Sequence, residues 1–404
     1  MIKTEDERIS LDQYPESHVL KQIDPSFSSY QCIGRGGTSI VYLAWNEKDG
    51  KNYIVKEYYP RIPKNFIGNL QYSRKNNGEL LINCDNETKK QQEINRQEQR
   101  MQYELNVLKD IFSDETQFKN SNHVLPAASP YQLKRIGDTL YAITEFRAGN
   151  TLAGIVMDQK ASSIKERFED SIKITRQLIS LVEPLFSKRG WLHGDLKPEN
   201  IWIGRDYGAT DDLADNIYII DYGSSFNYEK YREKIENANN DLAKMKEIAE
   251  EIKANESIGF SSVNYCSKAL EELAEAKLQY QCVNYNINLR NLIEKMCKID
   301  QASDLYSIVK IFYYMVTGGK WYNNNVDVLE ESYEVSVVQK IKAIMQRNEN
   351  GGYTTYEDVK YDLDILEAIY EKRAVPEVLI GAIINNDELK LKSFNERLLC
   401  SLEE

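Results

Sequence analysis

Short runs of alternating apolar and polar residues open the ordered part of the chain. Residues 30–33, 39–45 and 53–57 are β-prone and are separated by Gly34-Arg35-Gly36-Gly37 and Glu47-Lys48-Asp49-Gly50, which predicts an antiparallel meander. Residues 1–27 are polar and read as an N-terminal arm. Residues 60–86 are irregular, with a hairpin expected near Asn77-Gly78. Residues 87–112 lack Pro and Gly and end in Tyr103, Leu105, Val107, Leu108 and Ile111. That predicts a long helix, solvated in its first half and buried in its second. Two more strands are expected in 131–146, turning at Gly137-Asp138.

After Gly149 the pattern becomes helical. Ile172, Ile174, Leu178, Ile179, Val182 and Leu185 mark a buried helix, and strand-like runs follow at 200–203 and 217–220. Beyond Phe226 nearly everything reads as helix. Tyr231, Ile235, Ala238, Leu242, Met245, Ala249 and Ile252 are spaced 4, 3, 4, 3, 4, 3, a seam that predicts one helix packed on the protein's own surface. A strand-rich front and a helix-rich back predict an α+β, two-lobed fold rather than a doubly wound sheet.

Composition narrows the function classes. The 404 residues are 42% hydrophobic and 28% charged, ordinary globular values, with no disordered or fibrous signature. A net charge of −12 speaks against nucleic acid as a partner. The most apolar stretch, 305–316, carries Lys310 and falls short of the about 20 residues a membrane span needs. The first ten residues carry charges and no apolar core of a signal peptide. Six scattered cysteines without a Cys-x-x-Cys pair and only three histidines argue against a disulfide framework or a zinc site. A cytoplasmic location is expected.

Four segments carry chemistry. Gly34-Arg35-Gly36-Gly37-Thr38-Ser39-Ile40-Val41 is a glycine turn between strands, where backbone N–H groups can approach phosphates. Lys56 lies on the next strand. Leu192-His193-Gly194-Asp195-Leu196-Lys197-Pro198-Glu199-Asn200 brings a carboxylate, a lysine and a carboxamide into one loop, the mixture phosphoryl transfer needs. A strand then delivers Asp221 in Ile219-Ile220-Asp221-Tyr222-Gly223. Alone, the glycine turn, Lys56 and Asp221 each have a plainer reading, a hairpin turn, a solvated lysine and a turn cap, whereas the 192–200 loop is the strong signal.

Together these residues resemble a eukaryotic-type (Hanks-type) Ser/Thr protein kinase of the bacterial kind, over roughly residues 28–370. The resemblance implies an N-lobe over 28–146, with an insertion at about 60–100, and a C-lobe over 147–404, with helical insertions at about 227–300. It implies that Gly34, Gly36, Gly37, Ser39 and Val41 cover the phosphates of ATP. Lys56 would hold the α- and β-phosphates, with Glu104 as its helix partner in preference to Glu98. Thr144 matches the gatekeeper, Glu145 and Arg147 the adenine-pairing hinge, and Trp202 the pocket floor, while Ile54 stands where alanine is common. Asp195 matches the base and Lys197 the charge-stabilising lysine. Asn200 and Asp221 match the ligands of Mg²⁺, which Mn²⁺ could replace. Asp304 matches a buried brace of the catalytic loop.

The departures are as informative. Gly194 replaces the usual arginine that binds an activation-segment phosphate, so phosphorylation there is not expected to be the on-switch. Ser262, in Ser261-Ser262-Val263-Asn264-Tyr265-Cys266, keeps the hydroxyl expected to meet the base and its lysine. Ala269 replaces a structural glutamate whose arginine partner is Gly352 here, unless Glu271 or Glu272 substitutes. The insertions flank where a protein substrate would dock and could serve as lid, partner-docking surface or inhibitory plug. The reading is an ATP- and Mg²⁺-dependent kinase of protein Ser/Thr hydroxyls. Its alternatives are a nucleotide-binding, partner-docking pseudokinase and a small-molecule kinase of the same fold.

Overall fold

The structure is a computed structural model that describes residues 18–35, 39–58, 71–75, 78–112, 132–146, 148–158, 163–204, 217–255, 257–259, 262, 264–282, 286–322 and 327–372. The chain forms two compact units, Met1–Ala148 and Gly149–Glu404. The first is built on a β-sheet and the second is largely helical, an α+β arrangement.

In the first unit, β1 (Phe27–Arg35), β2 (Ser39–Asn46) and β3 (Lys51–Tyr58) form the expected meander. A small hairpin, β4 (Gln71–Arg74) and β5 (Leu80–Asn83), follows, with Gly78 at φ +80 in its turn. Then come the helix α2 (Glu87–Phe112) and the strands β6 (Gln132–Ile136) and β7 (Thr139–Glu145). The sheet order is β1-β2-β3-β7-β6, antiparallel throughout.

Side chains alternate across a sheet, so each face has its own role. Ile40, Tyr42, Ala44, Val55, Tyr141 and Ile143 join Leu80 and Ile82 of the hairpin in one core. Leu20 and Ile23 of a short helix, α1 (His18–Ile23), enter the same core. The expected arm therefore gives way at residue 18 to an element of the unit. Its signal was only four apolar positions, Val19, Leu20, Ile23 and Phe27. On the opposite face, Met101 of α2 packs with Tyr58, Leu140 and Ala142. Ion pairs from Lys90 to Asp138 and from Glu98 to Arg135 tie α2 to the β6–β7 hairpin.

In the second unit, β8 (Gly149–Thr151), β10 (Ile201–Gly204) and β11 (Ile217–Ile219) form a three-stranded antiparallel sheet in the order β11-β10-β8. A two-stranded ladder pairs β9 (Trp191–Leu192) with β12 (Phe226–Asn227). The helices α3 (Leu152–Asp158) and α4 (Ile164–Leu185) precede these strands, and Ser163 and Glu166 close a capping box at the start of α4. Of the later helices, α9 (Ala302–Val316) is buried on nearly every side, as its all-round apolar sequence requires.

The heptad seam does not form one helix. It splits into α5 (Tyr228–Ala238) and α6 (Leu242–Ala254), because Asn239 and Asn240 adopt φ of +46 and +63. Asp241 then caps α6 by accepting from the amides of Ala243 and Lys244. Ile235, Ala238, Ile248, Ala249 and Ile252 from the two helices share a core with α7 (Lys268–Cys282) and α8 (Asn286–Cys297). The stripe thus packs on the protein itself, as expected. The chain closes with α10 (Asp327–Glu330), α11 (Val335–Glu349) and α12 (Tyr356–Tyr370).

Candidate functional site

The first unit sets Lys56 between Val41 on β2 and Ala142 on β7, directly opposite both in register. Opposed residues share a face. Two residues along, Ile54 stands between Leu43 and Thr144, so Val41, Ile54, Lys56 and Thr144 lie together on one half-buried face. That is the face on which Met101 of α2 packs. Glu104 lies one turn beyond Met101 and is buried, whereas Glu98 is exposed and pairs with Arg135. Gly34 pairs with Val41 and Ser39 with Tyr58, at the two ends of the glycine turn. Glu145 lies opposite Tyr53 and forms an ion pair with Lys51 at 3.0 Å. Gly36, Gly37 and Arg147 lie outside the described residues.

The residue next to Lys56 is a buried carboxylate. Glu57 points to the opposite face, where it accepts hydrogen bonds from Tyr42 Oη at 3.0 Å and Tyr141 Oη at 2.6 Å. Those bonds offset the cost of burying it.

The second unit holds the loop from His193 to Asn200. Its base is Asp304, fully buried on α9, whose two oxygens accept from the amides of His193 at 2.8 Å and Gly194 at 3.1 Å. Burial pushes the Asp304 carboxyl up to about 6, and the two amide hydrogen bonds pull against that rise. His193 is also fully buried, which lowers its basicity. Its ring meets Phe186 and Tyr222 at centroid distances of 5.6 Å each. Ser225 Oγ donates to the His193 carbonyl at 3.2 Å, a tie that nothing in the sequence announced.

Asp195 is the hub of the loop. Its Oδ2 accepts from Lys197 Nζ at 2.8 Å and from Asn200 Nδ2 at 3.2 Å, and its Oδ1 accepts from the Ser262 amide at 2.9 Å. Lys197 Nζ also donates to Ser262 Oγ at 2.9 Å, so the hydroxyl expected there does reach the loop. Asn200 Nδ2 bonds the Asp195 carbonyl as well, at 2.8 Å. With its nitrogen spent on Asp195, Asn200 presents its carboxamide oxygen.

Asp221 follows β11 in a left-handed conformation, φ +67, with its side chain exposed. The amide of the preceding residue, Ile220, donates to the Asn200 carbonyl at 2.9 Å. Asn200 and Asp221 are therefore held next to each other by backbone, and both offer hard oxygen donors. Mg²⁺ suits such a pair, since it is commonly held by one or two protein oxygens plus water and phosphate. Among the described residues no cluster of three His, Cys, Asp or Glu side chains is arranged for a metal. Trp202 on β10 lies opposite Thr151 and Tyr218. Gly149 makes room for it, because a Cβ there would lie 2.6 Å from Trp202 Nε1 and 2.2 Å from the Ile203 carbonyl oxygen.

The end of the segment after Asp221 is held by contacts of its own. Ser307 Oγ on α9 donates to the Tyr265 carbonyl at 2.7 Å, and the Tyr265 ring packs edge-on against Trp321. Glu272 pairs with Lys295 on α8, which lowers its carboxyl below the usual range. Near Gly352, Arg347 donates to the Gly352 carbonyl at 3.0 Å and to Asp358 and Asp362.

No protein-family model and no curated protein matches the chain. Among solved structures it is similar to the apo form of PpkA-294, at 15% identity over 84% of this chain and 96% of that one, with a TM-score of 0.42. It is also similar to a double mutant of the Mycobacterium tuberculosis PknI kinase domain, at 12% identity over 85% of this chain and 97% of that one, with a TM-score of 0.43.

Proposed function

We propose that the protein is an ATP- and Mg²⁺-dependent Ser/Thr protein kinase. The observation that carries this reading is the hydrogen-bonded set Asp195–Lys197–Asn200–Ser262, with Asp221 tied to Asn200 through the Ile220 amide. Asp195 accepts the proton of the substrate hydroxyl as its oxygen bonds to the γ-phosphorus. The bond from that phosphorus to the bridging oxygen breaks, and ADP leaves with the electron pair. Lys197 steadies the charge that builds on the transferring group. Asn200 and Asp221 would hold the metal, which when bound neutralises phosphate charge. Lys56, with Glu104 on the helix packed over its face, would hold the nucleotide phosphates, and Thr144 and Glu145 would line the adenine end.

The test is phosphate transfer from radiolabelled Mg·ATP to protein Ser/Thr residues, comparing wild type with Asp195→Asn. Loss of the base is expected to slow transfer by a factor of about 10² or more. ATP binding with no transfer would favour a partner-docking module. Transfer to small hydroxyl compounds but to no protein would reassign the substrate class.

A further inference from the structure

Gly194 provides no guanidinium to hold a phosphate on the segment that reaches Ser262, yet that segment is seated on Asp195. Something else must hold it. Downstream, Ser307 binds the Tyr265 carbonyl. Upstream, the grip comes from α7, in the insertion after the segment.

Lys277 of α7 is only 7% exposed, an expensive place for an ammonium. It donates to the Asn255 carbonyl at 2.5 Å and the Ile258 carbonyl at 2.9 Å. Asn255 is the C-cap of α6, so the cation meets a helix end that carries partial negative charge and unsatisfied carbonyls. One turn earlier on the same face of α7 is Ala274. Gly259 lies against it at φ +84, so close that a Cβ would come 3.0 Å from Ala274 Cα. Ile258 is buried in the core that α7 shares with α6. Asn255, Ile258 and Gly259 are thus clamped to α7 by a charge, a close backbone approach and a buried isoleucine. Three residues later the chain delivers Ser262 to Asp195 and Lys197.

We propose that Lys277 is a positioning residue: by clamping Asn255, Ile258 and Gly259 it sets Ser262 on the Asp195–Lys197 pair. The inference rests on the kinase reading for its catalytic consequence and on geometry alone for the clamp.

The experiment is Lys277→Met in the full chain, read in two ways. Amide hydrogen exchange in peptides covering 255–266 is expected to rise by about tenfold, while α9 keeps its protection. Turnover with a protein substrate is expected to fall by about tenfold or more, with the KM for ATP unchanged within about twofold. Added to Ser262→Ala, Lys277→Met should cost little more, because both act through the same contact. Gly259→Ala opens the clamp from the other side and serves if Lys277→Met does not fold. Unchanged exchange over 255–266 in a folded variant, or losses that multiply with Ser262→Ala, would overturn the proposal. A wild type that transfers no phosphate would sink the kinase reading, and the exchange result would still decide the clamp.

Discussion

At Gly194 the backbone runs at φ +76, and a Cβ would lie 2.7 Å from the Ser224 carbonyl oxygen. Only glycine fits that conformation beside that carbonyl without strain. Any side chain placed there would meet that carbonyl in a strained backbone. Gly194→Ala is expected to cost about 1–3 kcal/mol, seen as a lower urea midpoint with an unchanged slope. The glycine itself is plain in the sequence, but its necessity is not, because Ser224 comes from another segment. Asp304 gives a prediction in pH. Its folded value, about 6, lies above the 3.8 of an ordinary aspartate. Below both values the group is neutral in either state. As pH rises between them, the unfolded chain ionises first and this group's contribution to stability is lost. Asp304→Asn should flatten the fall in unfolding free energy over that window. An unchanged slope would mean that the carboxyl is not what titrates there.

The α5–α6 hairpin shows how one element can mislead. A regular 4, 3 spacing over seven apolar positions reads as one helix, yet Asn239-Asn240-Asp241 inside it is a stop-and-start signal. Asparagine tolerates the left-handed conformation and aspartate caps the next helix. Folding the stripe back on itself buries both halves in the same core, which an extended helix of that length could not do alone. Asp241→Ala should cost about 1 kcal/mol by losing the cap, while Asn239→Gly should be neutral or better, both measured by thermal unfolding. At α11 and α12, Lys340 and Asp362 form an ion pair with side chains 1% and 5% exposed. Burial lowers the Lys340 pKa, and Asp362 opposes that shift. Asp362 also binds Arg347 and accepts from Tyr353 Oη at 2.6 Å. Asp362→Ala should therefore cost about 3–5 kcal/mol, and Lys340→Met distinctly less, because Asp362 keeps its other partners. Equal losses from the two would refute that ordering.

Each unit of the molecule has a core of its own, one built on the faces of a five-stranded sheet and the other around α9 and the α5–α8 bundle. No helix among the described residues is long and apolar enough to cross a membrane. If the protein binds Mg·ATP in the native state, nucleotide must raise its unfolding temperature. At about 100 times the dissociation constant the gain is about 2.7 kcal/mol. Asp221→Asn should remove much of the part of that gain that depends on Mg²⁺ while leaving the unliganded melting temperature near wild type, since the Asp221 side chain is exposed and asparagine tolerates its left-handed backbone. An identical Mg²⁺-dependent gain in wild type and variant would show that Asp221 does not hold the metal.

The β1–β3 meander, the β6–β7 pair, the long α2 and the loop from Asp195 to Asn200 were all legible in the sequence. Each depends on residues close together in the chain, where periodicity and loop chemistry act directly. Asp221 was legible too, as the residue that ends a buried strand. The docking of α1 under the sheet, the two tyrosines on Glu57 and the lysine of α7 on the carbonyls of 255 and 258 were decided only by the tertiary structure. Those partners lie tens of residues apart. A buried charge or an apolar stripe states what must be compensated, but only the packed chain selects which distant group compensates it.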